Sequence, residues 1–463
     1  MPCVKRSLYS LPWLLLPACS FLLDFDELQS EDEKSPGGDA GTACAAPCDD
    51  QKPCTKDSCD LSSSPPRCKY EPIQGLVDDG FDAEIQADTV HRATLISAGD
   101  AFYFTVFETT NARNELTLYR VRNASNEYEK LTSFSGLLPN LLTPRSAAGL
   151  VADTSNTSVG LVLHGFLALD DNVYHIRLGG NFDPTNAPLT TLATNTYDSL
   201  NPRRYPVAGP IAGSIVGAWI NKDGTITAAS PGKPSVALGS TAVPATQLAL
   251  IGSRDTPGVL WTGPGGVYTQ IAGGPPSQLM DCETRAGIYT NAMAVSILSG
   301  FWLTSWTKAG LADGGFVSSQ QLGVGCGSPL CVAGRQCDGD ILNPGVRNPA
   351  AATASRAGDP IGTVFVASAN PYIRLGDAGA PETGINLVVA RIDFGDPPFQ
   401  RDPEAVPIGT VELSNMPAVA PLFDGPDWPA ISILPPNRVG VVWSEPRQAG
   451  QVLRAKRLMI CAP

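Results

Sequence analysis

Basic residues are outnumbered in this chain: 32 Lys and Arg face 45 Asp and Glu, for a formal net charge of −13 at pH 7. That balance argues against binding nucleic acid, whose phosphates need basic patches. It argues equally against docking on an anionic membrane by charge alone. Histidine is rarer still, with His91, His164 and His175 the only three, so a zinc site would have to be mostly thiolate. No stretch reaches the roughly 18 uninterrupted apolar residues of a membrane-spanning helix. The HExxH, P-loop and GxSxG motifs are missing, as is GxGxxG in a strand-to-helix setting. On that footing no catalytic residue, cofactor or metal site is assigned. Long helices are not expected either, because 46 Gly and 41 Pro punctuate the chain with turns.

What is present is apolar material and cysteine. Hydrophobic residues make up 43% of 463 positions, enough for a large core in two or three domains, or in one repeat domain with small attachments. Twelve Cys, clustered at 44–68 and 326–337, fit an oxidising compartment outside the cytoplasm.

Residues 1–19 read MPCVKRSLYSLPWLLLPAC: a basic Lys5-Arg6 start, a short apolar core from Leu8 to Leu16, and a small residue before Cys19. This resembles a bacterial lipoprotein signal peptide, which implies a lipid (palmitate among its chains) on Cys19 as the only membrane attachment. The match has one departure, Pro17, where such signals carry a small or β-branched residue. Ser20 after the Cys, in place of Asp, implies the outer membrane by the same resemblance. Residues 20–43 are acidic and Gly-containing and read as a flexible tether.

Residues 44–72 hold Cys44, Cys48, Cys54, Cys59 and Cys68, with no room for a hydrophobic core, so cross-links must order them. Zinc on Cys48, Cys54, Cys59 and Cys68 is the alternative, and an exported chain favours a disulfide-rich module. The pattern Cys48-Asp-Asp-x3-Cys54-Thr-x-Asp57-x-Cys59-Asp60 resembles the Cys-rich repeats of secreted slime-mould matrix proteins and of surface lipoproteins of fruiting soil bacteria. Such repeats come in tandem, whereas here there is one copy with Cys44 extra, so no binding role is carried over. Asp49, Asp50, Asp57 and Asp60 do not have EF-hand spacing and read as turn residues.

From about residue 84 the chain becomes paired apolar runs. The first members start at Phe102, Val159, Ile215, Val259, Phe301, Val364 and Val439. Each is followed, after a polar or Gly-rich gap, by a second run; the last pair is Arg438-Val-Gly-Val-Val-Trp-Ser-Glu445 and Val452-Leu-Arg-Ala-Lys-Arg-Leu458. Weaker runs before or after most pairs bring the count to about four strands per unit. Intervals of 42–75 residues and four strands per unit are the signature of a β-propeller. The expected fold is therefore all-β, with seven four-stranded blades spanning 83–463. Six or eight stay open, because the fourth and fifth units are thin. The last unit lacks a fourth strand, and Ala83–Val90 is expected to supply it by pairing beside Val452–Leu458, burying an otherwise sticky edge.

Cysteine arithmetic bears on the same junction. Setting aside Cys3 and Cys19 leaves five Cys at 44–68 and five more: Cys282, Cys326, Cys331, Cys337 and Cys461. Each set is odd, so full pairing needs at least one link between them, with Cys461 the natural candidate. The other four are expected to pair among themselves in an order the sequence does not reveal.

Chemistry is harder to find. His164 and His175 fall on consecutive strands of one unit and can face each other, but no third ligand is visible. Asn221-Lys-Asp-Gly-Thr225 faintly echoes the Asp-box of sialidases, which share the propeller shape, and a hairpin turn explains it fully. Arg120, Arg177, Arg454 and Arg457 read as strand-face partners of carboxylates. Trp219, Trp261, Trp302, Trp306 and Trp443 read as packing between blades. The expectation is a lipid-anchored propeller that binds a protein or glycan of the cell envelope or exterior, without nucleic acid. The alternative is a polysaccharide-cleaving propeller enzyme, a hydrolase or lyase.

Overall fold

The computed structural model describes Cys48, Asp50 and Lys52, and then most of the chain from Cys54 to Cys461. Outside the described residues lie 1–47, the segments 135–146, 154–160, 198–205, 279–287, 327–349, 355–362, 376–380, 394–403 and 418–426, and several shorter pieces. Side chains between 281 and 349 are also outside them. The expectations for Cys19, Cys44, Cys282, Cys331 and Cys337 therefore fall outside, as do the side chains of Cys326, Trp302 and Trp306.

Among the described residues every regular element is a strand. β1 (Thr55–Asp60) and β2 (Arg67–Pro72) form a two-stranded sheet, and β3 (Gly75–Ala87) follows. Then come β4 (Thr89–Ala98), β5 (Ala101–Thr110), β6 (Arg113–Arg122) and β7 (Tyr128–Ser133), which pair in chain order as one sheet. The second sheet is β8 (Ala147–Asp153), β9 (Val162–Leu169), β10 (Asn172–Leu178) and β11 (Leu189–Ala193). The third is β12 (Val207–Ile211), β13 (Ser214–Ile220), β14 (Ile226–Ala229) and β15 (Val236–Leu238). The fourth is β16 (Gln247–Ser253), β17 (Thr256–Gly263), β18 (Gly266–Ile271) and the two-residue β19 (Ser277–Gln278). Three strands make the fifth among the described residues: β20 (Ile288–Leu298), β21 (Phe301–Ala312) and β22 (Gly315–Cys326). The sixth is β23 (Ala350–Ala354), β24 (Thr363–Leu375), β25 (Pro381–Asp393) and β26 (Glu404–Pro417). In the seventh, β27 (Asp427–Leu434), β28 (Arg438–Arg447) and β29 (Gly450–Cys461) are joined by β3 from the other end of the chain.

The first strands touch in succession, β4 to β8, β12, β16, β20, β23, β27 and back to β4, so the seven sheets close as a ring. The chain is an all-β propeller of seven blades. Small residues let the inner strands approach: a Cβ on Gly149 of β8 would lie 2.7 Å from the carbonyl oxygen of Pro206, beside β12. Side chains stitch neighbouring inner strands together. Thr94 on β4 donates to the carbonyl of Ala148 on β8 (2.8 Å), and Ser97 donates to that of Ile433 on β27 (2.7 Å).

The unbroken apolar runs have a simple cause: the second strand of a blade is buried on both faces. Phe102, Phe104 and Val106 of β5 pack toward β28 and β29, where Val442, Leu453 and Ala455 meet them. Tyr103 and Phe107, on the opposite face, pack against Leu150, Leu163 and Leu167 of the second blade. Trp443 of β28 turns the other way, into the sixth blade against Phe365 and Leu387. Trp219, Trp261 and Trp443 are all fully buried. Each removes about 150–250 Å² from water, an upper bound on the order of 4–6 kcal/mol apiece. Packing between blades is therefore a large stabilising contribution.

The closing strand differs from the sequence expectation in its limits. It begins at Gly75 rather than Ala83 and ends at Ala87, while Thr89 and Val90 already belong to β4. Arg454 pairs with Glu84 and Cys461 with Gly75, and the register shifts between Arg457 and Leu458, where Asp79 and Gly80 bulge out of β3. Residues 75–82 (GLVDDGFD) hide their strand character because the bulge breaks the alternation in an acidic stretch.

The chain divides into two compact units. The smaller includes Cys48 and Asp57–Lys69, cross-linked by a disulfide from Cys48 to Cys68. Its turn is set by Asp60, whose Oδ1 accepts from the backbone N–H and the hydroxyl of Ser62 (2.9 and 2.6 Å). Cys59 is also disulfide-bonded. The larger unit is Asp50–Lys56 together with Tyr70–Pro463. A boundary drawn at 44–72 thus misses that Asp50–Lys56 goes with the propeller, where a disulfide joins Cys54 to Cys461, 407 residues away.

Candidate functional site

Two buried groups stand out chemically, on opposite sides of the first two blades. The first is the imidazole pair. β9 and β10 are antiparallel with Arg177 opposite His164 and His175 opposite Phe166, which puts both histidines on one face. That face looks toward the third blade: a Cβ on Gly217 of β13 would lie only 2.1 Å from the ring of Phe166. His164 Nδ1 and His175 Nε2 are 2.9 Å apart, with the rings stacked at 5.1 Å between centroids. Their relative exposures are 6% and 5%.

Burial lowers the pKa of both. His175 falls to about 4, by desolvation first and then by the neighbouring His164 and Arg177. His164 is lowered by desolvation, against the pull of Asp153. The Asp153 carboxylate is 3.9 Å from His164 Nε2, too far for a hydrogen bond but close enough to bias the tautomer. It favours the proton on that nitrogen, so that His175 Nε2–H donates to His164 Nδ1. Both rings are neutral near pH 7. Among the described residues no third metal ligand joins them, and the pair holds two strands together inside a blade interface.

The second group is Glu108, near the end of β5 opposite Glu115 on β6 and Val90 on β4. Its side chain lies on the face that carries Phe102, Phe104 and Val106 toward the closing blade. It is 5% exposed, and its Oε2 has no hydrogen-bond partner among the described residues. Burial is the main reason its pKa rises to about 7, with Glu115 adding to the rise and Lys130 opposing it. The phenol of Tyr119, stacked on Phe104 at 5.1 Å, is pushed up by burial and by the Glu108 charge. A carboxyl in this setting takes up or releases a proton near neutral pH. No sequence motif marks it, although a Glu within FYFTVFETT, on the same face as three apolar residues, is the available signal.

Arg177 on β10 is exposed, while the other described charged and aromatic residues singled out by sequence are engaged in holding strands and blades. Arg120 donates to Glu129 on the next strand (2.6 Å). Arg454 reaches Asp82 and Glu84 on β3 (2.7 and 3.0 Å). Arg457 is buried against Asp79. Lys222, in the turn after β13, crosses to the second blade and donates to Asp171 and Asn195 (2.6 and 2.8 Å). Within that turn, Asp223 Oδ1 accepts from the backbone N–H and hydroxyl of Thr225 (2.9 and 2.6 Å). The segment with an Asp-box echo is therefore a hairpin turn. The indole of Trp443 donates to Glu445 (2.8 Å), and Trp261 stacks on Tyr268 at 5.6 Å.

No protein-family model matches the chain, and no curated protein sequence does. Solved structures do align. The β-propeller domain of the Trilobed protease from Pyrococcus furiosus is 9% identical, over 82% of this chain and 97% of that one, with a TM-score of 0.36. A protein of unknown function from Dyadobacter fermentans is 12% identical over 84% and 100%, with a TM-score of 0.37. A mutant of AofleA from Arthrobotrys oligospora is 9% identical over 72% and 92%, also at 0.37. The seven-bladed assignment rests on the strand order and the closed ring described above, not on these similarities.

Proposed function

We propose that this chain is a lipid-anchored propeller outside the cytoplasm that binds a protein or glycan partner of the cell envelope or exterior through a loop face. One observation carries the reading: apart from the exposed Arg177, the described Arg, Trp and His side chains that sequence nominates for chemistry are buried or paired within and between blades. Trp219, Trp261 and Trp443 are fully covered and leave no face for a sugar to stack on. That use of the blades leaves recognition to the segments joining the strands, as is usual when a rigid scaffold carries variable loops. The anchor on Cys19 and the outer-membrane address belong to the same proposal and are supported by the N-terminal sequence alone.

The test uses the full chain with Cys19→Ser, exported to an oxidising compartment so that its disulfides form. Probed on a glycan array and in pull-downs from envelope extracts, it should retain one class of partner above background. Retention of nothing would overturn the binding reading. Metabolic labelling with a fatty acid should mark the unaltered chain and not Cys19→Ser, and equal labelling of both would remove the anchor.

A polysaccharide-cleaving enzyme is the second reading: Glu108, with its pKa raised to about 7 and Glu115 beside it, is a combination that acid–base hydrolysis uses. That reading requires the buried Glu108 to be uncovered to reach a glycosidic oxygen. Cleavage of any polysaccharide by the unaltered chain, lost in Glu108→Gln, would decide for it.

A further inference from the structure

The ring closes where the chain's two ends meet, and the meeting point is covalent. Gly75, the first residue of β3, pairs with Cys461, the last of β29. Cys461 is bonded to Cys54, and the carbonyl of Cys54 accepts from the backbone N–H of Ile73 at 2.8 Å. Residues 54, 73–75 and 461 therefore form one junction, and the stretch between 54 and 73 is an excursion from it.

The two strands at this junction differ in how firmly they are held. β3 is the outer strand of its sheet, paired on one side only among the described residues, with Asp78, Gly80, Asp82, Glu84 and Gln86 exposed and Phe81 and Ile85 buried. β29 is paired on both sides, with β28 and with β3. Its Val452, Leu453, Ala455, Leu458 and Ile460 are buried. Arg457, also on β29, donates to the carbonyls of Arg122 and Ser125 on the first blade (2.7 and 3.0 Å).

We propose that the Cys54–Cys461 bond is a mechanical clamp, which diverts a pull on the N-terminal segment from the edge strand β3 to the interior strand β29. Without the bond, a pull arriving at Gly75 opens the β3–β29 ladder one pair at a time from its end, the least resistant way to part a sheet. With it, the first pair cannot separate. The load enters the end of β29, which can peel from β28 only by pulling its side chains out of buried contacts on both faces as each pair parts. A propeller held by its N-terminal segment while a loop face grips a partner would meet such a pull. The clamp is a property of the junction, and it holds whether or not Cys19 carries a lipid and whatever the partner is.

Single-molecule force extension tests it on the full chain. One handle is placed at the amino-terminal end and the other on a labelling peptide inserted at the exposed Gly232–Lys233 turn between β14 and β15. The oxidised chain should show no short early lengthening before a blade-scale rupture. In Cys461→Ser, a lower-force step of at most roughly 7 nm should come first, as residues 68–87 are freed at about 3.6 Å each. Reduction of an already folded, tethered molecule guards against a variant that does not fold. Because it also opens Cys48–Cys68, its early step should roughly double in length. An early step in the oxidised chain, or identical traces before and after reduction, would overturn the clamp.

Discussion

Arg457 and Asp79 are 378 residues apart in sequence, and the guanidinium Nε of one lies 2.5 Å from the carboxylate Oδ2 of the other. Arg457 is 2% exposed. Asp79 stands in the β3 bulge and also accepts from Arg438 at 2.8 Å. Two guanidinium groups thus converge on one carboxylate, while Nη1 of Arg457 reaches the carbonyls of Arg122 and Ser125 on the first blade and Nη2 donates to the carbonyl of Asp79 (3.2 Å). A guanidinium suits this position because its donors are fixed in a planar fork and it stays charged when buried.

Removing Arg457 should be costly because it leaves Asp79 short of a partner and takes away the charged donor shared by the carbonyls of Arg122 and Ser125, of which Arg122 keeps the Ser125 N–H. For Arg457→Ala a loss of about 3–5 kcal/mol is expected, the range for breaking a buried pair from one side. Lys456→Ala removes a more open pair with Asp78, at 2.7 Å, and should cost less than about 1 kcal/mol. Denaturant melts of the two variants check the contrast. Equal losses would mean that the Arg457 cluster holds nothing special.

The close contact between blades two and three predicts a steric defect. Gly217→Ala places a methyl group inside the ring of Phe166 and should cost about 1–3 kcal/mol by overpacking. Phe166→Leu, added to Gly217→Ala, should recover part of that loss, because the two changes act on one contact. A double variant no better than the sum of the singles would show that the strain lies elsewhere.

A chain cut to start at Glu84 keeps Ile85 and loses Phe81, Asp82 and Asp79 from the closing strand, as well as Cys54. The uncovered edge of β29 should then pair with other chains. Gel filtration should show aggregates or dimers for 84–463 and a monomer for a chain starting at Asp50. A monomeric, normally stable 84–463 would mean that β3 is dispensable.

The histidine pair sets an acid limit. Because burial holds both rings below the ordinary value, the unfolded chain binds protons that the folded chain refuses. The pair's contribution is complete above about pH 6.5 and is lost as pH falls toward 4. With His175 displaced to about 4, the loss is on the order of 3 kcal/mol at roughly 1.4 kcal/mol per unit. His175→Phe should flatten this part of the stability profile, measured as melting temperature from pH 7 to 4. An unchanged slope would place the acid sensitivity in other groups.

How far the fold is legible in sequence follows from where its energy lies. Strands such as β5 and β28 are apolar on both faces because they feed two blade interfaces, and an unbroken apolar run records that directly. The closing strand is harder to read: β3 completes the seventh sheet from the other end of the chain. What sequence hides is contact between parts distant in the chain. Asp79 looks like one acid in an acidic loop until the bulge turns it toward Arg457. Glu108 looks like the polar end of a strand until blade seven covers it. Local pattern says nothing about which face a neighbouring blade seals, so buried charge is the feature least visible in advance.

Glu108 tests that last point, and its sign is opposite to that of the histidines. The unfolded carboxyl ionises near 4.5, while the folded one holds its proton to about 7. Its stabilising contribution is therefore complete below about pH 4.5, declines as pH rises to about 7, and is absent above that. Glu108→Gln keeps the shape and a hydrogen-bond donor but cannot ionise. It should match the unaltered chain at pH 4 and be more stable at pH 8, by on the order of 3 kcal/mol for a displacement of about 2.5 units. Melting curves at the two pH values provide the check. If the variant is less stable at pH 8, the Glu108 carboxylate is compensated by a cation or donor beyond the described residues, and its burial is not the cost inferred here.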